Sequence, residues 1–159
     1  MADGLLFTLT IVTALGCGLN AGVFFAFSAF VMQALARLPP AQGIAAMQSI
    51  NVAAITPVFM GALFGTAALC VALAVAALLM WGEPGAVWLL LGSLLYLAGA
   101  VVVTMAFNVP RNNALAAVAP ESAEGAGLWA RYVTGWTAWN HLRAVACLAA
   151  AAALTLALR

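Results

Sequence analysis

Residues 58–81, VFMGALFGTAALCVALAVAALLMW, form a continuous apolar stretch that decides the fold class. No charged residue occurs between Arg37 and Glu83, and alanine, leucine and valine dominate. A helix of roughly 20 such residues crosses the hydrocarbon core of a bilayer. The stretch lacks the apolar–polar alternation of a membrane β-strand, which argues against a β-barrel. It therefore predicts a transmembrane helix.

Working outward from this stretch, three further charge-poor runs are long enough to cross a membrane. They lie at Gly4–Ala36, at Pro84–Pro110 and after Arg131, where only His141 and Arg143 interrupt the apolar sequence. We therefore predict one integral membrane domain, residues 1–159, with spans at about 4–36, 58–81, 86–107 and 126–158.

The connections between these runs are short and rich in proline, glycine and polar residues. Leu38-Pro39-Pro40 ends the first span, and Gly82-Glu83-Pro84-Gly85 is typical of a tight turn. The moderately polar Ala41–Ile55 and the segment Arg111–Val118 are each predicted to form a short helix. Short connections favour antiparallel neighbours. The predicted fold is all-α: a four-helix transmembrane bundle, up-down-up-down, with a short extra helix in each of the loops after spans one and three.

The composition agrees with this class and excludes several others. Of the 159 residues, 67% are hydrophobic and 6% are charged, against roughly 25% charged in a soluble domain. A formal net charge of +1 gives no basic surface for nucleic acid. A cleaved signal peptide is disfavoured because Asp3, and no lysine or arginine, precedes the first apolar run, which is too long for such a signal.

Arginine placement indicates an orientation. Arg37, Arg111 and Arg131 lie near the loops after spans one and three, whereas Arg159 is at the opposite end. Positively charged loops favour the cytoplasmic side. We therefore expect these two loops to face the cytoplasm, in what we expect to be a bacterial cytoplasmic (inner) membrane.

A few polar residues lie inside or at the ends of the predicted spans, where they are costly and usually face the bundle interior. At 1.5 Å per residue, three of them lie at a similar depth, roughly 24–28 Å from one face of the membrane. We predict that these three, Asn20, Asn140 and Arg143, face one another in a pocket, with Asn51 and Asn108 nearer its mouth.

The fourth span supports this pocket by its helical phase. Six aromatic or polar residues share a stripe about 100° wide, whereas His141 falls outside it; they are Trp129, Tyr132, Trp136, Trp139, Asn140 and Arg143. The alternative is an interfacial aromatic belt, with Arg143 bonded to carbonyl groups. On the first span, Asn20 and Phe24 share a stripe that is either the pocket wall or a packing face.

Metal and standard catalytic motifs find no support in the sequence. Cys17, Cys70 and Cys147 stand singly in apolar runs and are predicted to be small buried hydrophobic residues. His141 is the only histidine, so a haem or metal ligand set is not expected. There is no Ser-His-Asp set, P-loop or dinucleotide fingerprint. We predict no metal and no cofactor.

Several segments together resemble the anthrone oxygenase-like family, most of whose members are described only as a domain of unknown function. The resemblance covers nearly the whole chain in order, and its most specific element is WTAWNHLR. The segments are Gly18–Phe27, Met47–Asn51, Pro57–Met60, Asn108–Asn112, Trp129–Tyr132 and Trp136–Arg143.

The resemblance implies a small four-helix membrane protein, some of whose fungal relatives oxidise anthrones to anthraquinones with oxygen and no cofactor. Such an enzyme positions the substrate, stabilises an enolate oxygen and accepts a proton. On this interpretation Arg143, Asn140 and His141 are catalytic, although the helical phase of His141 argues against its role as base. The substrate-binding residues would be Asn20, Asn51, Asn108, Trp136, Trp139, Phe24 and Tyr132.

Two other classes stay open at this point. One is a non-catalytic binder of a quinone-like or lipid-like molecule in the same pocket, and the other is a structural subunit of a membrane complex. The expected partners are a hydrophobic aromatic or lipid-like small molecule and membrane lipid, with no nucleic acid.

Overall fold

The helices follow the apolar runs of the sequence. The computed structural model describes residues 2–159, with side chains from residue 4 onward. Four helices are long and apolar enough to cross a membrane: Gly4–Ala36, Pro57–Leu79, Ala86–Ala116 and Ala123–Leu156, termed spans one to four. Within the described residues the chain is all helical, which confirms the predicted up-down-up-down bundle. The protein is an integral membrane protein.

Two of the spans contain π-helical turns. Span one lies within three successive helical segments: the α-helix Ala2–Ala26, a π-helical segment at Phe27–Val31 and the α-helix Met32–Ala36. Span three consists of Ala86–Tyr96, π-helical segments at Leu97–Val102 and Thr104–Asn108, and the short helix Val109–Ala116. A π turn rotates the residues that follow it relative to a regular helix, and such turns are frequent at functional sites.

Both predicted short helices are present, with shifted bounds. The first loop helix is Pro40–Ala53. The second, Val109–Ala116, continues directly from span three, so that span reaches Ala116 and not residue 107. Pro110 does not break the helix, because it lies in the first turn after a π segment, where a missing N–H is tolerated.

The remaining span ends have local causes. Thr56 precedes span two and its hydroxyl accepts a hydrogen bond from the Phe59 amide at 3.2 Å, whereas Ser122 caps span four through the Gly125 amide at 2.9 Å. Span two ends at Leu79, before a turn in which Gly82 and Gly85 adopt positive φ angles of 102° and 87°. Only glycine adopts such angles readily.

Close packing of small residues holds the spans together. A Cβ atom on Gly99 would overlap the Cβ atom of Ala146 on span four, and one on Gly16 would overlap Thr66 on span two. Small residues allow helix backbones in a membrane to approach closely. The Tyr96 hydroxyl adds a link between spans three and two by donating to the Leu63 carbonyl at 2.9 Å.

The interior divides into two apolar clusters. One lies between the four spans and contains the buried thiols Cys17, Cys70 and Cys147, which confirms their predicted burial. The other lies where the loop helices meet span four and contains Met47 and Trp136. The first loop helix is tied to the second by Gln48, whose amide donates to the carbonyls of Leu115 and Val118.

Candidate functional site

A cavity of about 620 Å³ lies between the two apolar clusters. It is lined by all four spans and the first loop helix, and its walls are mostly apolar. This volume is within the roughly 300–1,000 Å³ typical of small-molecule sites. The polar side chains that reach it include Gln48, Asn51, Thr104, Asn112, Asn140 and Arg143.

Arg143 is the charged group of this cavity. It is 6% exposed, and its terminal nitrogens donate to Thr104 Oγ1 at 3.0 Å and to Asn140 Oδ1 at 2.6 Å. Its Nε atom is buried without a hydrogen-bond partner. None of the carboxylates that the structure describes forms a salt bridge with it. The guanidinium is thus held by neutral acceptors, with donor capacity left over beside the cavity.

Two aromatic rings flank the guanidinium. Its central carbon lies 4.3 Å from the ring centroid of Phe24 on span one and 5.2 Å from that of Trp136 on span four. Such contacts stabilise a cation that has lost its water. They also help to keep the planar group in one orientation at the cavity wall.

Asn140 links Arg143 to span one. Its Nδ2 atom donates to the Phe24 carbonyl at 2.6 Å and to the Ser28 hydroxyl at 2.7 Å. Ser28 lies in the π segment Phe27–Val31, where the wider turn changes the direction of nearby groups relative to a regular helix. The amide orientation is therefore determined: its nitrogen faces span one and its oxygen accepts from Arg143.

A second polar cluster supports Trp136. Asn112 Oδ1 accepts hydrogen bonds from Trp136 Nε1 and from the Tyr132 hydroxyl, each at 2.9 Å. Tyr132 also stacks between Trp136 and Trp129, with ring centroids 6.3 Å and 5.6 Å away. Tyr132 is therefore a support behind Trp136 and does not line the cavity.

The structure brings together five of the residues predicted for the site. The residues that line one cavity are Phe24, Asn51, Trp136, Asn140 and Arg143.

Asn20 and Asn108 lie elsewhere. The prediction that Asn20 faces Asn140 and Arg143 is wrong, because its amide donates to the carbonyls of Gly16 and Ala62 and so joins spans one and two. Asn108 is 1% exposed and donates to the Trp136 carbonyl at 3.3 Å. It lies behind the cavity wall and not at the mouth.

Trp139 and His141 also lie outside the cavity. Trp139 stacks on Phe107, with ring centroids 3.5 Å apart. His141 is exposed on the outer surface of span four, as its helical phase indicated. Its placement gives it no access to a ligand held at Arg143.

Several polar residues in or beside the cavity were not predicted from the sequence, among them Gln48, Asn112, Thr104 and Ser28. Gln48 and Asn112 occur in the segments that carry the family resemblance, so a signal for them was present. Thr104 and Ser28 had none, because a single hydroxyl residue in an apolar span is common and the π turns that orient both are not visible in a hydrophobic pattern.

Across the described residues, no group of three or more histidine, cysteine or acidic side chains is arranged to hold a metal ion. The cavity instead offers a fixed cation, neutral hydrogen-bonding groups and aromatic surfaces. A flat apolar molecule with an oxygen atom that carries negative charge matches this combination.

Comparison with known proteins agrees with the resemblance seen in the sequence. The anthrone oxygenase family matches residues 56–153, which is more than half of the chain. No curated protein and no solved structure matches the chain.

Proposed function

This chain belongs to the anthrone oxygenase family, and from that premise we propose that it oxidises a flat, enolisable aromatic ketone of the anthrone type with molecular oxygen. The observation that carries the proposal is Arg143. It is a buried guanidinium without a described carboxylate partner, and it lines an apolar cavity. A buried cation of this kind favours a ligand that becomes anionic during reaction.

The chemistry needs little beyond such a site. Loss of a proton from the CH₂ group of an anthrone gives an aromatic phenolate, in which the charge resides mainly on the former ketone oxygen. The anion passes one electron to O₂, and the resulting radical and superoxide combine at the ring carbon to give a peroxide. Loss of the second hydrogen of that carbon with cleavage of the O–O bond gives the quinone. One anthrone and one O₂ thus yield one anthraquinone and one water.

Four cavity residues have a defined part in this proposal. The oxyanion lies near the Arg143 guanidinium, and Asn140 fixes the guanidinium orientation. Phe24 and Trp136 contact the flat rings. No carboxylate or imidazole is found among the described cavity-lining residues, so we assign the released proton to water at the cavity mouth and not to His141.

The absence of a carboxylate or imidazole among the described cavity-lining residues favours a second candidate. A cavity whose described walls contain no side chain of ordinary base strength also fits a non-catalytic binder of a quinone-like or lipid-like molecule. Both candidates predict binding of anthraquinone, but only the oxygenase accelerates oxygen consumption.

We further propose that the loops after spans one and three face the cytoplasm. Arg37 and Arg111 lie near these loops, and Arg131 lies in the adjoining part of span four. Labelling of single exposed cysteines with a membrane-impermeant reagent in intact cells distinguishes the two orientations. We expect position 42 to be protected and position 84 to be labelled.

The test of the proposed reaction is oxygen uptake by purified protein in liposomes supplied with anthrone. Because anthrone reacts slowly with oxygen unaided, protein-free liposomes are the control. We expect a rate proportional to protein, with one O₂ consumed for each anthraquinone formed. A rate equal to that of protein-free liposomes, together with tight binding of anthraquinone, would establish the binder instead.

A further inference from the structure

Spans two and three diverge at the end of the bundle that contains the cavity. Span two packs along the Ala86–Val102 part of span three, and this packing does not extend to Thr104–Ala116 in the described structure. The first loop helix packs on spans one and four and on the second loop helix, and it has no comparable packing on span two. The cavity therefore has an uncovered side between spans two and three.

The residues at this gap are apolar and outwardly exposed. Phe64 on span two and Met105 on span three both line the cavity, yet they are 46% and 55% exposed. Val52, in the last turn of the first loop helix, and Ile55, just before span two, also line it and are each 74% exposed. Side chains that belong both to the cavity wall and to the outer surface mark an opening; these four define the lateral window.

The window lies within the length of span two, on an apolar outer surface. Phe64 lies seven residues after Pro57, which is about 10 Å along span two at 1.5 Å per residue. The surrounding outer surface is apolar, with Val58 and Val71 strongly exposed on the same helix. A polar opening also exists, because Asn113 on the second loop helix lines the cavity and is exposed. A ligand thus has two geometric routes, one from lipid and one from the loop side.

We infer that the ligand reaches the cavity from the bilayer through the lateral window, so that the substrate class is a neutral, membrane-dissolved aromatic molecule. This rests on the proposed function only for the identity of the ring system. A neutral ketone partitions into hydrocarbon, reaches Arg143 through an apolar opening and acquires charge only inside. The loop-side opening, lined by amide groups, then serves water and the released proton.

The test measures binding and not turnover, so that it stands apart from oxygenase activity. Anthraquinone dissolved in liposomes that contain the protein is followed by quenching of tryptophan fluorescence in stopped-flow experiments. Trp136 lines the cavity, and Trp136→Phe identifies its share of the signal.

A double variant, Met105→Leu with Phe64→Trp, narrows the window through the larger indole ring at position 64. The single variant Met105→Ala widens it. For narrowing we expect the association and dissociation rate constants to fall together by about tenfold with an unchanged Kd, because an access route affects both directions equally. Widening the window should raise both the association and the dissociation rate constant. The matched control is Val102→Trp, which alters a residue of span three that is 57% exposed and does not line the cavity.

The opposite pattern would overturn the inference. If Asn113→Trp slows both rate constants and the window variants leave them unchanged, the ligand enters from the loop side. If the window variants change only the dissociation rate constant and Kd, these residues are binding contacts and not an access route. If anthraquinone binds with window-dependent rates but oxygen uptake is absent, the window stands and the oxygenase proposal fails.

Discussion

At the scale of single residues, the decisive feature is a buried arginine whose hydrogen bonds go to neutral groups. Arg143 is held by Thr104 and Asn140 and flanked by Phe24 and Trp136. Burying a charge is costly unless it is paired or hydrogen bonded. A ligand that develops negative charge at this point completes the pairing, which links the unusual burial of this residue to the proposed chemistry.

His141 provides a test at this scale, because its place in the family segment and its location in the structure point in different directions. Its side chain is exposed on the outer face of span four. We expect His141→Ala to leave kcat and KM for anthrone oxidation unchanged within about twofold, since no contact in the cavity is lost. Asn140→Leu on the same helix is the contrasting variant and should lower kcat, because it removes an acceptor from Arg143. A large loss of activity in His141→Ala would restore the histidine to the reaction.

Several of these residue placements could be predicted from sequence, and each exception has a physical cause. Helical phase correctly grouped Trp136, Asn140 and Arg143 on one face. Phase does not determine which neighbour a helix face meets, so it does not reveal that Asn20 faces span two. The position of Thr104 is not predictable from phase, because the π turns of span three shift it away from the regular helical period.

At the scale of helices, close approach through small residues fixes the bundle around the cavity. Gly99 on span three lies against Ala146 on span four, less than one helical turn from Arg143. Spacing between these spans therefore determines how Arg143 faces Thr104. The spans themselves were predictable from charge-free runs, whereas the extension of span three past Pro110 was not, since proline normally indicates a helix boundary.

This packing gives a prediction with an internal control. Gly99→Ala should destabilise the protein by about 1–3 kcal/mol, because the added methyl group overlaps Ala146. Gly65→Ala on span two should be neutral, because its added methyl group would meet no atom within 4 Å. Adding Ala146→Gly to Gly99→Ala should restore most of the lost stability. Thermal unfolding in detergent measures all three, and equal melting of the two single variants would contradict the proposed contact.

At the scale of the whole molecule, the protein combines a tightly packed half with a half that encloses a cavity. The packed half contains the buried thiols and the small-residue contacts, and the other half contains Arg143, the amide groups and the loop helices. Spans two and three diverge toward the loops after spans one and three, which leaves room for the cavity and its lateral window. Composition predicted the membrane bundle, but this divergence depends on tertiary packing and π turns that no sequence period reveals.

The measurement that tests the central claim most directly compares Arg143→Met with wild type for anthrone-dependent oxygen uptake and for thermal stability in detergent. Arg131→Met, which removes an exposed arginine from the same span, is the matched control. Loss of a charge-assisted donor to a developing oxyanion costs about 3 kcal/mol in the transition state. We predict that Arg143→Met loses activity about a hundredfold or more and keeps a melting temperature close to that of wild type, while Arg131→Met retains both. Full activity in a stable Arg143→Met protein, or a loss of activity explained entirely by early melting, would contradict the assignment of Arg143 to the reaction.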